Sequence, residues 1–68
     1  MAKEVKSSNI SSIEYDETTS TLIVRFHDGS AYKYENVPLE VYHGLTAALS
    51  TGSYFYRNIR TSYPFSRA

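Results

Sequence analysis

The chain has 68 residues, of which seven are tyrosine, three phenylalanine and none cysteine, so it makes one small domain near the lower size limit for independent folding, without disulfide or thiolate-zinc support. Its seven basic and seven acidic side chains cancel unevenly: residues 1–40 hold four basic and seven acidic groups, whereas residues 41–68 hold Arg57, Arg60 and Arg67 and no acid. No apolar run approaches the roughly 20 residues of a membrane helix, and no apolar signal region follows Met1-Ala2-Lys3-Glu4, which argues against membrane insertion and secretion and for a cytoplasmic protein.

The opening segment is polar and aperiodic, so residues 1–8 are read as a disordered N-terminal segment and residues 9–68 as the single domain. Ile13 and Tyr15 alternate with Ser12 and Glu14, which predicts a half-buried strand from about Ile10 to Asp16. Glu17-Thr18-Thr19-Ser20 supplies a turn. Thr21-Leu22-Ile23-Val24-Arg25-Phe26 is the strongest strand signal, rich in β-branched residues and with Leu22, Val24 and Phe26 on one face. Ala31-Tyr32-Lys33-Tyr34-Glu35 alternates again and places Tyr32 and Tyr34 together.

The hairpin between the second and third strands is decided by register, because residues opposite one another in an antiparallel pair point to the same face. A two-residue Asp28-Gly29 loop sets Arg25 opposite Tyr32 and mixes charge into the apolar face. A three-residue loop, His27-Asp28-Gly29 closed by a glycine bulge, sets Phe26 opposite Ser30, Val24 opposite Tyr32 and Leu22 opposite Tyr34. The second register predicts that Gly29 has positive φ and that Tyr32 and Tyr34 are both core rings.

Val37-Pro38-Leu39-Glu40 reads as a helix start with Pro38 in the first helical position, and the helix is expected to reach about Leu49. Val41, Leu45, Ala48 and Leu49 form its apolar stripe, and Gly44 suggests a close approach to the sheet. Ser50-Thr51-Gly52 reads as a break. A second helix from about Ser53 to Arg60 has Phe55 and Ile59 on one side and Tyr56 and Arg60 on another. Pro64 makes the tail extended. The fold class is therefore α+β: a three-stranded antiparallel β-meander followed by two α-helices packed on one sheet face.

This order of residues resembles the KTSC domain family, a small module found at the C-terminus of some lysyl-tRNA synthetases and as a stand-alone bacterial or phage protein. The resemblance runs from about Ser8 to Arg67. It is carried by Ser8-Asn9-Ile10, Tyr15-Asp16, Leu22/Val24/Phe26, Gly29, Tyr32 and Tyr34, Val37-Pro38, Gly52-Ser53-Tyr54-Phe55, Ile59-Arg60 and Tyr63-Pro64. Tyr56 departs from the commoner pattern, which has a polar residue there. The resemblance implies an RNA or tRNA context through the synthetase and no established activity.

Candidate site residues follow from the charge split. Arg57, Arg60 and Arg67 are suited to phosphate oxygens, and Tyr56 and Tyr54 to stacking of bases. The competing reading pairs the arginines with Glu14, Asp16, Glu17 or Glu40 in surface ion pairs worth little, or uses Arg60 to hold the Tyr63-Pro64 turn. Tyr32, Tyr34, Gly29 and Pro38 are read as structural. Catalysis is not expected: His27 and His43 have no recognisable nucleophile partner, no zinc spacing and no phosphate-cradling glycine loop, so no metal and no cofactor is assigned. Two functions remain open, an RNA-binding module and a protein-interaction or homodimerisation module using an unpaired edge strand and exposed aromatics.

Overall fold

Asp28 organises the central hairpin by accepting hydrogen bonds from the Ser30 amide and hydroxyl at 2.9 and 2.6 Å, while Gly29 follows at φ +93°. The Gly29 amide donates to the Phe26 carbonyl at 3.1 Å and the Phe26 amide to the Ser30 carbonyl at 2.9 Å, which closes the three-residue loop. The strands on either side, β3 (Thr21–Phe26) and β4 (Ala31–Tyr34), then pair Leu22 with Tyr34 and Val24 with Tyr32. This is the register that a dry sheet face demands. A similar device turns the preceding strand, β2 (Ile10–Asp16), into β3: Asp16 Oδ1 accepts from the Thr18 amide and hydroxyl.

The computed structural model describes residues 2–4, as backbone, and residues 7–68. Its sheet has five strands in the order β1-β2-β3-β4-β5, with β1 at Ala2–Glu4 and β5 at Phe65–Arg67. The α+β class with both helices on one face stands, but the meander has an added strand at each edge. β1 pairs antiparallel with β2, Lys3 lying opposite Ile13; residues 1, 5 and 6 of the segment read as disordered lie outside the described residues. The end of that segment is held as well. Ser7 Oγ accepts from the amides of Asn9 and Ile10, and Nε2 of His27 donates to the Ser7 carbonyl at 3.0 Å. At the other edge, the extended tail returns beside β4, with Arg67 opposite Tyr32 and Phe65 opposite Tyr34.

Helix α1 (Leu39–Ala47) begins one residue later than its proline suggests. Pro38 is the N-cap, extended at φ −64° and ψ 151°, and its carbonyl accepts from Val41 and Tyr42. The buried side is correspondingly turned: Tyr42 and Leu45 face the sheet, and Leu49 is fully exposed in the connection rather than part of the stripe. Tyr42 stacks on Tyr15 with centroids 4.9 Å apart and planes 11° apart. Helix α2 (Thr51–Asn58) starts earlier than expected because Ser50 is a cap, not a break, its hydroxyl accepting from the Ser53 amide. Phe55 and Ile59 are buried from this side.

The core lies between the helices and one face of the sheet. Ile10, Ile13, Leu22, Val24, Val37, Leu45 and Ile59 are almost wholly shielded. Tyr15 donates its hydroxyl to the Val37 carbonyl at 2.6 Å, so a buried polar group is satisfied where the chain leaves the sheet for α1. Of the two tyrosines read as core, Tyr34 is buried while Tyr32 is only partly buried. Tyr32 lies nearer the turn end of the hairpin and is covered from one side by Arg67.

Candidate nucleic-acid interface

Five rings form a closed circuit at the margin between α2 and the β4/β5 edge. Phe26 meets Tyr32 at 6.0 Å, Tyr32 meets Phe65 at 6.2 Å and Phe65 meets Tyr34 at 5.6 Å. Tyr34 meets Phe55 at 5.4 Å, and Phe55 returns to Phe26 at 5.8 Å. Four of these contacts are edge-on, the arrangement favoured by ring quadrupoles. The circuit is assembled from β3, β4, α2 and β5, so it exists only once the tail has paired with the sheet. The same five rings line a groove of about 450 Å3 that also has Tyr56, Arg60 and Thr61 on its walls, and no acidic side chain lines it.

Arginines stand on the aromatic rim. The Arg60 guanidinium lies 5.0 Å from the centroid of Tyr56 and that of Arg67 lies 5.9 Å from the centroid of Tyr32, both within cation–π range. Arg60 follows the helix, its amide donating to the Phe55 carbonyl, and this extra bond fixes where its side chain leaves the chain. Burial pushes the Tyr34 hydroxyl above its ordinary value, with the Arg60 charge acting in the opposite direction. Tyr34 is therefore a neutral donor at physiological pH. Hydrogen bonds from Ser30, and then the Arg67 charge, hold Asp28 below the usual carboxylate range.

The structure separates the sequence candidates. Tyr56, Arg60 and Arg67 gather around the groove, Tyr56 being half exposed at 51%. Arg57 lies on the other side of Tyr56, beside Ser7, Ser8, Asn9 and Leu49, and Tyr56 lines that second groove as well. Tyr54 points into the helix pair, partly buried, against Gly44. The close approach suggested by Gly44 is thus to α2 and not to the sheet. Phe65, 60% exposed, is the aromatic that sequence reading did not place in the site. Its signal was its neighbour Arg67, but nothing local says that the tail lies against Tyr34.

Among the described residues the ion pair present is Arg25 with Glu14, 3.7 Å apart on the open face of the sheet, so none of Arg57, Arg60 and Arg67 is engaged by Glu14, Asp16, Glu17 or Glu40. Nor does the Arg60 side chain bond the Tyr63-Pro64 turn; that turn is held by the Glu35 amide donating to the Pro64 carbonyl at 2.9 Å. Glu14, Asp16, Glu17 and Glu35 surround a separate groove on the sheet face away from the helices. Lys33 also lines this groove, which shares no lining residue with the arginine-rimmed one. Among the described residues no cluster of His, Cys, Asp and Glu is suited to a metal ion, and no helix is long and apolar enough to cross a membrane.

Fold and groove together define a small α+β module with an arginine-rimmed aromatic site. The KTSC domain family model matches residues 6–63, and the chain belongs to that family. It is 38% identical over 58 residues to a lysine–tRNA ligase of Trichormus variabilis, a match covering 85% of this chain and 10% of the ligase. The chain thus spans about a tenth of the ligases it matches. It is also 44% identical over 50 residues to a protein of Tsukamurella paurometabola, covering 74% of this chain and 75% of that one. The crystal structure of a KTSC domain protein from Yersinia pestis superposes with a TM-score of 0.95 at 28% identity, over 100% of this chain and 96% of that one. No catalytic family is indicated for the module. Phe65 and Arg67 fall beyond the residues that the family model matches, while the structural match includes them.

Proposed function

We propose that the domain binds single-stranded RNA, including unpaired regions of tRNA, weakly through α2 and the C-terminal tail, with Arg57, Arg60 and Arg67 at phosphates and Tyr56 and Phe65 offering faces for bases. The carrying observation is the groove itself, in which five contacting rings are lined by no acid and rimmed by Arg60 and Arg67, neither of which forms an ion pair within 4.0 Å among the described residues. Bases present a flat face to aromatic surfaces whatever their sequence, and arginines follow the backbone beside them. Tyr56 lines both grooves, so a strand crossing it reaches Arg60 on one side and Arg57 on the other. The tRNA ligase relatives support the same reading.

Affinity for a labelled single-stranded RNA measured over a range of salt concentrations tests this. Each phosphate neutralised contributes about −0.7 to the slope of log affinity against log salt. Three contacts therefore lose about 2 powers of ten per tenfold rise in salt, and removing one arginine lowers affinity and slope by one contact's share. A flat salt dependence, or three single variants with wild-type slopes, contradicts it. One observation favours a protein-interaction role instead: Leu49 projects fully exposed from the loop between the helices. An apolar anchor of that kind suits a protein partner.

A further inference from the structure

We infer that the aromatic groove is a subsite for one nucleotide, in which Arg60 and the Tyr34 hydroxyl donate to a phosphate while the exposed side of Phe65 receives the base. This rests on the RNA-binding reading and adds a particular donor pair and a particular unit of ligand to it.

Tyr34 carries the inference. It is only 4% exposed, yet its hydroxyl makes no hydrogen bond with any described residue. No wholly buried side-chain oxygen or nitrogen lacks a partner among those residues, so the little surface that Tyr34 keeps includes the hydroxyl oxygen, and Tyr34 is one of the residues lining the groove. A hydroxyl otherwise shielded by Phe55 and Phe65 and left without a protein acceptor is a donor awaiting one. The charge of Arg60 reaches it, and Arg60 lines the same groove. A neutral phenol beside a guanidinium is a donor pair for an anionic oxygen, not for a cation.

The apolar walls require the rest of that ligand to be flat and apolar. Phe65 packs against Tyr34 and Tyr32 but remains 60% exposed, whereas one face of the Tyr56 ring is taken by Arg60. Phe65 is therefore the more open face for stacking within this groove. About 450 Å3 falls within the range of small-ligand sites, enough for a base with its sugar.

The test is an NMR titration of the whole chain with adenosine 5′-monophosphate, adenosine, inorganic phosphate and an oligoadenylate RNA. The nucleotide is expected to shift the resonances of Tyr34, Arg60 and Phe65, and to bind more tightly than adenosine or phosphate alone. Tyr34→Phe keeps the ring contacts and should weaken the nucleotide about tenfold, the order expected for a lost hydrogen bond to a charged group. Arg60→Gln, at an exposed position that leaves the core untouched, should do at least as much and carries the test if Tyr34→Phe folds poorly. Unchanged nucleotide affinity in Arg60→Gln, or in a folded Tyr34→Phe, overturns the subsite. So does an oligoadenylate that binds α2 and the tail while the mononucleotide leaves the groove unmoved, an outcome that keeps RNA binding. Loss of all nucleic-acid binding together with groove shifts from a short acidic peptide overturns both.

Discussion

Gly44 of α1 and Tyr54 of α2 meet so closely that a Cβ on Gly44 would fall on the Tyr54 hydroxyl and the ring carbon bearing it. The absent side chain lets one helix lie against the ring of the other. Alanine at this position should raise helix propensity by about 1 kcal/mol but displace the ring, and overpacking of this kind costs about 1–3 kcal/mol. Gly44→Ala is therefore expected to be neutral or destabilising in the wild type. In a Tyr54→Ala background it should stabilise by about 1 kcal/mol. A double-mutant cycle in denaturant measures the difference, and a coupling energy near zero would mean that the helices do not meet there.

The two tyrosines of β4 should differ. Tyr34 is buried between Phe55 and Phe65, so Tyr34→Ala is expected to cost about 3–5 kcal/mol, enough to unfold a domain of this size. Tyr32 is partly exposed and should cost distinctly less. Equal losses in melting temperature would show that the burial of the pair has been misassigned.

Gly29, at φ +93°, has open space where a Cβ would stand. Any cost of substitution is then backbone strain and not collision. Gly29→Val should lose about 1–2 kcal/mol or more, and Gly29→Asn clearly less, because asparagine enters left-handed conformations readily. Equal stability of the two variants by chemical denaturation would contradict the bulged turn.

This turn was legible because local chemistry and sheet patterning agreed: Asp28-Gly29 demands a tight turn, and a single register puts Leu22, Val24, Tyr32 and Tyr34 on one side. The edge strands were not. Ala2–Glu4 and Phe65–Arg67 are too short to show periodicity, and their conformation comes from partners distant in sequence. Ser50 is ambiguous in sequence because serine is unfavourable inside helices and favoured at their N-caps, two roles that its identity alone does not separate. Tyr42 escaped the apolar stripe since a tyrosine ring counts as core only once Tyr15 is known to lie beneath it. In the site, the acid-free C-terminal half pointed to the arginines, but the grouping of Phe65 with Tyr34, and of Arg67 with Tyr32, required the β4–β5 pairing.

Acid should weaken the fold through its turns. Asp16 is held below its ordinary value near 3.8 chiefly by the Thr18 hydroxyl, and Asp28 by the Ser30 hydroxyl. A carboxylate whose folded value is depressed contributes stability above its unfolded value, and that contribution disappears as pH falls through the folded one. Stability should thus decline below about pH 4. Asp16→Asn and Asp28→Asn retain an oxygen acceptor but do not titrate, so each should flatten the decline. Denaturation midpoints of the two variants with wild-type dependence on pH in this window would contradict the assignment.

The most direct test of the central claim is an NMR titration of the isotopically labelled domain with tRNA and with generic single-stranded RNA at low salt. The arginine-rimmed groove predicts that amide shifts concentrate on Tyr56, Arg57, Arg60, Phe65 and Arg67, with Tyr32 and Tyr34 following, and that they fade as salt is raised. The separate groove around Glu14, Asp16 and Glu35 should stay unmoved. If both RNAs leave every resonance of residues 53–67 in place, the RNA-binding account fails and a protein partner becomes the better explanation of the exposed aromatics.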